Sequence, residues 1–588
     1  MAALFTTPKR NDKTSGAHFV EPDVCRRTLL AHGSWRRVTR RIVCGLACAL
    51  TVSSLLMPSV SLAAEWVDVG GVRHEAAAGP AGDAAGTWSW DGADDMKLNG
   101  YNGGAIEAAG KLNVSYEGDN IVTNGDGRGI KVKDGANENA ELNIQGDASS
   151  TLNVTSSRDA ITSVGSINID GAGTVNATST EHDAIDAGGD VTIKGSGNVN
   201  ATGDSDGIRA DGNITIDNSG TVTAKATEDQ GIDANENLII KGGGKVEASS
   251  IKDNAIWADG NIEISGGSQV KASSEEDATI DGKNSLTVTN ASLNASGVGY
   301  GIYVYKGITF VGATVTVRAS AGNDEASALF TDEDDIVIKN GSIVDAFAEG
   351  QFSTAIFTRN YYPNEAGGHI YISDSVVKAI ARYVESGSDG PDHYSNDQSG
   401  EVIPEHRGMN LGIFAQTSEG VTPATISIVR STVTAEGDTA AIFALAMSAD
   451  GKAIGTIEIE GASILTPEGG KVIDYRNKEE LSEDVVYEAG QTIGTGDVTI
   501  DSPYNEAVAK STVIAPFEEA KPEANPEEAT PVVKPAKQQT LVTGAKAEPA
   551  EAKKNLPATG DASPVGLAAT FASLAALLAG FVARRKRE

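Results

Sequence analysis

The chain contains almost no cysteine and few aromatic residues. Its 588 residues include three cysteines, and aromatic residues make up 5% of the total. Cys25, Cys44 and Cys48 all lie near the N-terminus. From residue 49 onwards the sequence therefore excludes disulfide bonds, cysteine-ligated metals and cysteine nucleophiles.

Positive charge is also scarce. The chain has 47 Lys and Arg against 81 Asp and Glu, which gives a formal net charge of −34. Residues 1–63 have a net charge of +6 and residues 560–588 a net charge of +2, so the segment between them has −42. A surface this acidic repels nucleic acid and attracts cations. We therefore expect no nucleic-acid partner.

Long apolar runs are absent except near the two ends. Near the N-terminus, an arginine cluster ending at Arg41 precedes an apolar run that extends to about residue 57, and small residues follow at Ala63 and Ala64. This order is typical of a secretory signal peptide. We predict a signal peptide at residues 1–63, cleaved after Ala63 or Ala64. Twin-arginine export and a lipoprotein signal at Cys48 match the residues less well.

The second apolar run lies at residues 565–583, which carry no charge, and RRKR follows at 584–587. As a helix rising about 1.5 Å per residue, this run spans the hydrocarbon core of roughly 30 Å. The basic residues then stay on the cytoplasmic side. We predict a transmembrane helix rather than a buried core helix, because almost no chain follows that could cover it.

The five residues before this tail are Leu556, Pro557, Ala558, Thr559 and Gly560. They resemble the sorting signal of Gram-positive wall-anchored proteins, Leu-Pro-x-Thr-Gly. The resemblance implies that a membrane transpeptidase, sortase, attacks the carbonyl between Thr559 and Gly560 and transfers the Thr559 carboxyl to a peptidoglycan amine. Pro557 suits a substrate lying in a groove, because it fixes φ and favours an extended neighbour. The tail would hold the chain at the membrane until that transfer.

The middle of the chain is an internal repeat with a nearly constant period. One isoleucine column recurs at almost equal spacings, and two further columns keep the same period. The columns are Ile169, Ile193, Ile216, Ile240 and Ile264; Val175, Val199, Val222, Val246 and Val270; and Ile185, Ile208, Ile232, Ile256 and Ile280. The last column extends from Ile106 to Ile442.

Each repeat contains three short segments that alternate in polarity, which predicts three strands with one face inward. Between the first and second strands the sequence places Gly171, Gly195, Asn218, Gly242, Gly266 and Asn290. Gly and Asn tolerate left-handed backbone, so we expect a corner with positive φ in each repeat. The pattern predicts an all-β fold, a right-handed parallel β-helix over residues 101–471. An array of Ig-like domains is the alternative, but such a domain needs about 100 residues.

The flanking segments complete the expected domain order. We predict an N-terminal cap at 64–100 and a C-terminal cap at 472–514, because uncapped ends would pair with other chains. Residues 515–555 are rich in Pro, Glu, Ala and Lys with few large apolar residues. This composition predicts an extended, disordered linker that spans the cell wall.

Candidate sites must lie on outward positions, since the inward ones fill the core. In the first half of the repeat region these positions are mostly acidic, and carboxylates on a rigid wall suit Ca²⁺. The candidate ligands are Asp183, Asp206, Asp211, Asp229, Asp233 and Asp253. The alternative is a solvated acidic face that keeps the protein soluble.

In the second half the position after the third-strand aliphatic residue becomes aromatic. Tyr303, Tyr305, Phe330, Phe357, Phe414 and Phe443 would form a stripe on one face. An open aromatic stripe favours a sugar-binding platform. The alternative is burial beneath the insertions at 359–368 and 387–409, which the preference of Phe for buried positions favours.

The repeat body, roughly residues 100–470, resembles carbohydrate-binding parallel β-helix proteins, distant relatives of pectate lyases. The resemblance depends on short motifs within the repeat, such as DGIRADG at 206–212. It implies a wall-anchored surface protein that binds carbohydrate or a host surface. A polysaccharide-cleaving enzyme with Asp206 and Arg209 in a groove, and a spacer without ligand, are the alternatives. No catalytic residue can be assigned.

Overall fold

The computed structural model describes residues 64–135, 140–360, 367–384, 410–417, 424–438, 440–446 and 452–465, and short strands at 472–474, 479–481, 492–499 and 511–516. They all belong to the first of two compact units, Met1–Glu519, and the second is Ala520–Glu588. The predicted signal peptide, nearly all of the linker and the sorting signal lie outside the described residues. Among the described residues, no helix is long and apolar enough to cross a membrane.

The repeat folds into coils of three strands, and each strand pairs in parallel with its equivalent in the next coil. Ile185, Ile208 and Ile232 lie side by side on successive coils, as the spacing predicts. The described chain has no α-helix, only a 3-10 turn at Ala76–Ala78. The fold is therefore a solenoid-like all-β stack of parallel strands.

The strands form three ladders. The first ladder contains Asp95–Asn99, Lys111–Glu117, Glu141–Gly146, Ser166–Gly171, Val191–Gly195, Ile214–Asn218, Leu238–Lys241, Ile262–Ile264, Leu286–Thr289, Ile308–Val311, Ile336–Lys339, Ile370–Ser373, Ala424–Val429 and Lys452–Glu460. The second contains Asn102–Gly103, Asp119–Asn124, Thr151–Ser156, Thr174–Ser179, Asn198–Thr202, Thr221–Lys225, Lys245–Ser250, Gln269–Ser274, Ser292–Val298, Val376–Tyr383 and Thr432–Gly437. The third contains Ile106–Ala109, Ile130–Lys133, Ile161–Ser163, Ile185–Ala187, Ile208–Ala210, Ile232–Ala234, Ile256–Ala258, Ile280–Gly282, Tyr300–Val304, Asn410–Thr417 and Ala440–Ala446.

Two later coils differ from the expected three short strands. Thr314–Thr331 and Ile343–Asn360 are strands of 18 residues that belong to the second ladder at their start and to the third at their end. Their mutual register shifts between Ala321 and Glu325. The chain therefore passes from the second ladder to the third within a continuous strand rather than through a separate loop.

The aliphatic columns form the core. Ile232 pairs with Ile208 on one side and Ile256 on the other, and all three side chains are fully buried. This confirms the predicted register at the centre of the repeat. Because identical positions stack, each aliphatic side chain packs against its equivalents from neighbouring coils as well as across the coil.

The corner after the first strand follows the prediction with one exception. Gly171, Gly195, Gly242, Gly266 and Asn290 have positive φ. Asn218 does not, and the expectation of positive φ was wrong there. Its side chain is buried and its Nδ2 donates to the Gly197 carbonyl, while its Oδ1 accepts from the Gly220 N–H. The amide thus fixes the corner by hydrogen bonding instead of by left-handed backbone.

Antiparallel strands lie at both ends of the stack. At the N-terminal end, Trp66–Val69 pairs with Val72–Glu75 and with Ile106–Ala109, and Trp88–Trp90 pairs with Ala81–Gly82 and Asp95–Asn99.

At the other end, Thr492–Thr499 pairs with Lys452–Glu460, and Ser511–Pro516 pairs with Thr432–Gly437 and Ala462–Leu465. Val472–Asp474 and Glu479–Leu481 form a separate antiparallel pair. A change of strand direction at the end of a parallel stack interrupts the repeat of identical edges.

Ile232→Asp tests the core register. The substitution puts an unpaired carboxylate into the aliphatic column, and we expect a loss of about 3–5 kcal/mol in the free energy of unfolding. Urea unfolding followed by circular dichroism measures it. The matched control is Ile251→Asp, because Ile251 is 40% exposed. Equal stability of the two variants would contradict the register.

Candidate functional site

The candidate site is a continuous column on the outward face of the third strand, which we call the outward ladder. Each of its residues follows a buried residue by one position, and strand side chains alternate between faces. The paired residues are Glu107, Lys131, Thr162, Asp186, Arg209, Asp233, Trp257, Asp281, Tyr303, Phe330, Phe357, Phe414 and Phe443. The predicted alignment of these positions is confirmed from Asp186 to Phe443.

Arg209 organises the acidic half of the outward ladder. Its Nη1 donates to Asp186 Oδ1 at 2.9 Å, and its Nη2 donates to Asp211 Oδ1. Its Nε lies 3.7 Å from an oxygen of Asp233 and 4.0 Å from one of Asp206. The guanidinium is thus enclosed by four carboxylates, and the enzyme alternative, which needs Arg209 facing a groove, gains no support from this geometry.

More carboxyl groups than cations are buried in this region. Asp206 is 5% exposed, and burial together with the nearby Asp233, Asp183 and Asp229 raises its pKa well above the ordinary value. Burial also raises the pKa of Asp183 to about 7. Without a further cation, part of this group is therefore neutral at physiological pH.

The buried carboxyls also hold neighbouring coils together. Asp183 Oδ1 accepts a hydrogen bond from the Asp206 N–H at 3.0 Å, and Asp206 Oδ1 accepts one from the Gln230 N–H at 2.8 Å. The spacing of the repeat places each acceptor beside the loop of the next coil. These aspartates thus have a structural role that is independent of any ligand.

Among the described residues two groups of carboxylates lie close enough to share a cation, Asp91, Asp94 and Asp95 near the N-terminal end and a second group in the acidic half, and most of their members were not predicted as ligands. Oxygens of Asp159, Asp183 and Asp186 all lie within 4.8 Å of one another. Such oxygens are the donors that Ca²⁺ prefers, although three carboxylates provide only part of its usual six to eight ligands. Asp159 also accepts a hydrogen bond from Arg128 Nε. This cluster suits a cation that completes its coordination with water.

Of the predicted calcium ligands, only Asp183 belongs to this cluster. Asp206, Asp211 and Asp233 face Arg209, while Asp229 is exposed and Asp253 is half-buried. The sequence prediction omitted Asp159 and Asp186. The sequence did contain a signal that groups Asp159 with Asp183, because each lies two residues before a third-strand isoleucine.

At the junction between the two halves, Asp281 lies between Trp257 and Tyr303 on the outward ladder. Burial and the neighbouring Asp277 and Asp253 raise the pKa of Asp281 to about 8. The Tyr303 hydroxyl donates to Asp332 Oδ2 at 2.7 Å, which fixes the ring. Trp257 and Tyr303 are both half-buried, so this part of the ladder remains partly accessible.

Beyond Tyr303 the aromatic rings stack on one another. The centroid distances from Tyr303 through Phe330, Phe357 and Phe414 to Phe443 are 5.1, 4.9, 4.9 and 5.6 Å, with interplanar angles of 12–20°. Successive coils are about 4.8 Å apart, so one ring per coil is at stacking distance from the next. The predicted single stripe is therefore present.

The four phenylalanines do not form an open surface. Phe330, Phe357, Phe414 and Phe443 are 1%, 6%, 2% and 5% exposed, and each ring stacks on at least one neighbour along the ladder. The Arg359 guanidinium lies 4.7 Å from the Phe330 centroid and pairs with Asp332. The prediction of an exposed sugar-binding platform is therefore wrong for these four phenylalanines. Of the predicted platform, Tyr303 and Tyr305 are half-buried. Most of the predicted covering insertions lie outside the described residues.

The remaining predicted site residues lie mostly outside the described part of the chain. These are Ala63 and the sorting residues from Leu556 to Gly560. Ala64 is described and fully buried.

Comparison with known proteins found no match. No protein-family model, no curated protein and no solved structure is similar to this chain at a significant level.

The buried carboxyls make stability depend on pH. Because the pKa of Asp183 rises to about 7 on folding from an ordinary 3.8, its stabilising contribution is complete below about pH 4 and is lost as pH rises through 7. We expect the melting temperature to fall between pH 5 and pH 8, and Asp183→Asn to reduce that fall by about 2–4 °C. Calorimetry across this range checks it, with exposed Asp170→Asn as the control. An identical pH dependence in all three proteins would refute the assignment.

Calcium binding has a separate test. A ligand that binds only the folded state raises the melting temperature by mass action. We expect millimolar Ca²⁺ to raise it at pH 8, a chelator to reverse the effect, and Asp186→Asn to abolish it. A melting temperature indifferent to Ca²⁺ and chelator would leave only the solvated acidic face.

Proposed function

We propose that this chain is a carbohydrate-binding surface protein, covalently anchored to the wall of a Gram-positive cell. The outward ladder is the observation that supports binding most directly. It is continuous over successive coils, and it presents half-buried aromatic rings beside carboxyl groups at Trp257, Asp281 and Tyr303. Aromatic faces with a few polar groups are typical of sugar sites.

The proposed architecture extends the described solenoid. The stack is a right-handed parallel β-helix, because parallel crossover connections are overwhelmingly right-handed. The linker at 515–555 separates it from the wall, and residues 565–583 cross the membrane before sorting. The partners are sortase, peptidoglycan through Thr559, and a glycan.

Export by the signal at 1–63 is part of this proposal. The burial of Ala64 supports cleavage after Ala63, since cleavage one residue later would remove a core side chain. The Glu65 N–H donates to the Ala109 carbonyl, so the chain is already part of the fold at this point.

Thr559→Ala tests the anchoring. The substitution removes the residue whose carboxyl would be joined to peptidoglycan. We expect the protein to move from the wall fraction to the membrane or the medium, as measured by fractionation and immunoblotting. Ala558→Ser is the control, since that position is variable in the resembled signal. Wall attachment of the Thr559 variant that survives hot detergent would contradict the proposal.

A glycan array probed with the full chain, with and without Ca²⁺, tests the binding. We expect at least one glycan to bind, and Tyr303→Ala to weaken that binding by roughly tenfold, because the ring provides stacking area on the ladder. Tyr371→Ala is the control, because Tyr371 is a 38% exposed aromatic residue on the first-strand face. Loss of binding in both variants, or no binding to any glycan, would overturn the assignment.

A further inference from the structure

Three carboxyl groups near the middle of the outward ladder stand out because no ion pair neutralises them in the described part of the chain. Among the described residues, no Lys or Arg forms an ion pair with Asp253, Asp277 or Asp281. In the preceding coils the comparable carboxylates of Asp186 and Asp233 face Arg209. The outward ladder thus changes from carboxylates with a cation to carboxylates without one.

Aromatic rings flank this unpaired charge on both sides. Trp257 and Tyr303 are the neighbours of Asp281 on the adjacent coils, and two ladder steps separate them by roughly 9–10 Å. One face of Tyr303 stacks on Phe330 at an interplanar angle of 15°. The Tyr300 ring also lies beside Tyr303, at a centroid distance of 5.5 Å and an interplanar angle of 33°. On the side away from Phe330, the ladder neighbour of Tyr303 is Asp281.

The chain's own lysine shows which chemistry this surface accommodates. The Lys283 ammonium lies 5.2 Å from the centroid of the Trp257 ring and donates to Asp259 Oδ1. The Trp257 Nε1 donates to the same carboxyl at 3.1 Å. An aromatic ring beside a carboxylate is favourable for an ammonium group.

We propose that Trp257, Asp281 and Tyr303 form a subsite for a hexosamine unit with a free amino group. The aromatic rings contact the C–H faces of the sugar, and Asp281, supported by Asp253 and Asp277, pairs with its ammonium group. A uronic acid would place its carboxylate beside these carboxyl groups without an ion-paired cation to receive it, so we expect acidic polysaccharides not to bind here. This inference rests on the proposed carbohydrate-binding function.

The absence of a facing cation also explains the state of Asp281. Burial, together with Asp277 and Asp253, raises its pKa to about 8, and the Gly282 N–H and Lys283 oppose this rise only in part. A bound ammonium supplies the missing positive charge and returns the carboxyl to its ionised form.

The test compares three tetrasaccharides on the full chain by isothermal titration calorimetry at about 0.15 M salt, where long-range attraction is screened. They are a glucosamine oligomer, its fully N-acetylated equivalent and an oligogalacturonate. We expect the glucosamine oligomer to bind roughly tenfold more tightly than the acetylated one, which corresponds to the loss of one charged contact. The oligogalacturonate should not bind.

Variants separate a specific subsite from general attraction to an acidic protein. Trp257→Ala leaves the net charge unchanged and should weaken binding of the glucosamine oligomer by roughly tenfold. Asp281→Asn should abolish the preference over the acetylated oligomer. Asp170→Asn removes the same charge from an exposed position and should change nothing. Circular dichroism checks that each variant is folded.

The remaining outcomes distinguish this inference from the function on which it rests. Equal binding of the amine and acetylated oligomers, or binding insensitive to Trp257→Ala, overturns the hexosamine subsite and leaves carbohydrate binding standing. Failure of the glucosamine oligomer while the array identifies another glycan has the same meaning. Failure of every glycan overturns both.

Discussion

In-register pairing of each coil with the next is the constraint on which the structure depends. A repeat of nearly constant length places each residue beside its equivalent one coil later, as in the row Ile208, Ile232 and Ile256. For an aliphatic column this stacking is favourable without further adjustment, because apolar side chains pack against their own kind and leave water. The same constraint applies to every outward column. There, stacking identical polar or charged side chains on successive coils is not always favourable.

Polar columns show how side-chain chemistry determines the result of stacking. An amide both donates and accepts, so Asn200, Asn176 and Asn153 form a chain of hydrogen bonds of 2.8 Å from coil to coil. A carboxylate only accepts, and stacked carboxylates repel. In the acidic half of the outward ladder Arg209 relieves this repulsion, and in the loops beside it the raised pKa values of Asp183 and Asp206 do so. At Asp281 no described Lys or Arg forms an ion pair and the side chain is only partly exposed, so burial and the neighbouring carboxyls raise its pKa to about 8.

Aromatic columns give a third result. Coils about 4.8 Å apart bring one ring per coil to stacking distance, and the column from Phe330 to Phe443 becomes a second, external core. This column runs along the later coils, where two strands continue for 18 residues from the second ladder into the third. It also removes the phenylalanines from the accessible surface, whereas Trp257 and Tyr303 on the same ladder are only half-buried.

The sequence by itself determined the period, the inward columns and the alignment of the outward ladder, because spacing along the chain becomes adjacency whenever strands pair in register. It also determined where acidic positions give way to aromatic ones. Only the tertiary structure decided the exposure of Phe357 and Phe414, the enclosure of Arg209 by four carboxylates, and the grouping of Asp159 with Asp183 and Asp186. The corner at Asn218 was likewise decided by a buried hydrogen bond. These features depend on distances between side chains of different coils and loops, and a one-dimensional repeat does not specify how those side chains turn or what covers them.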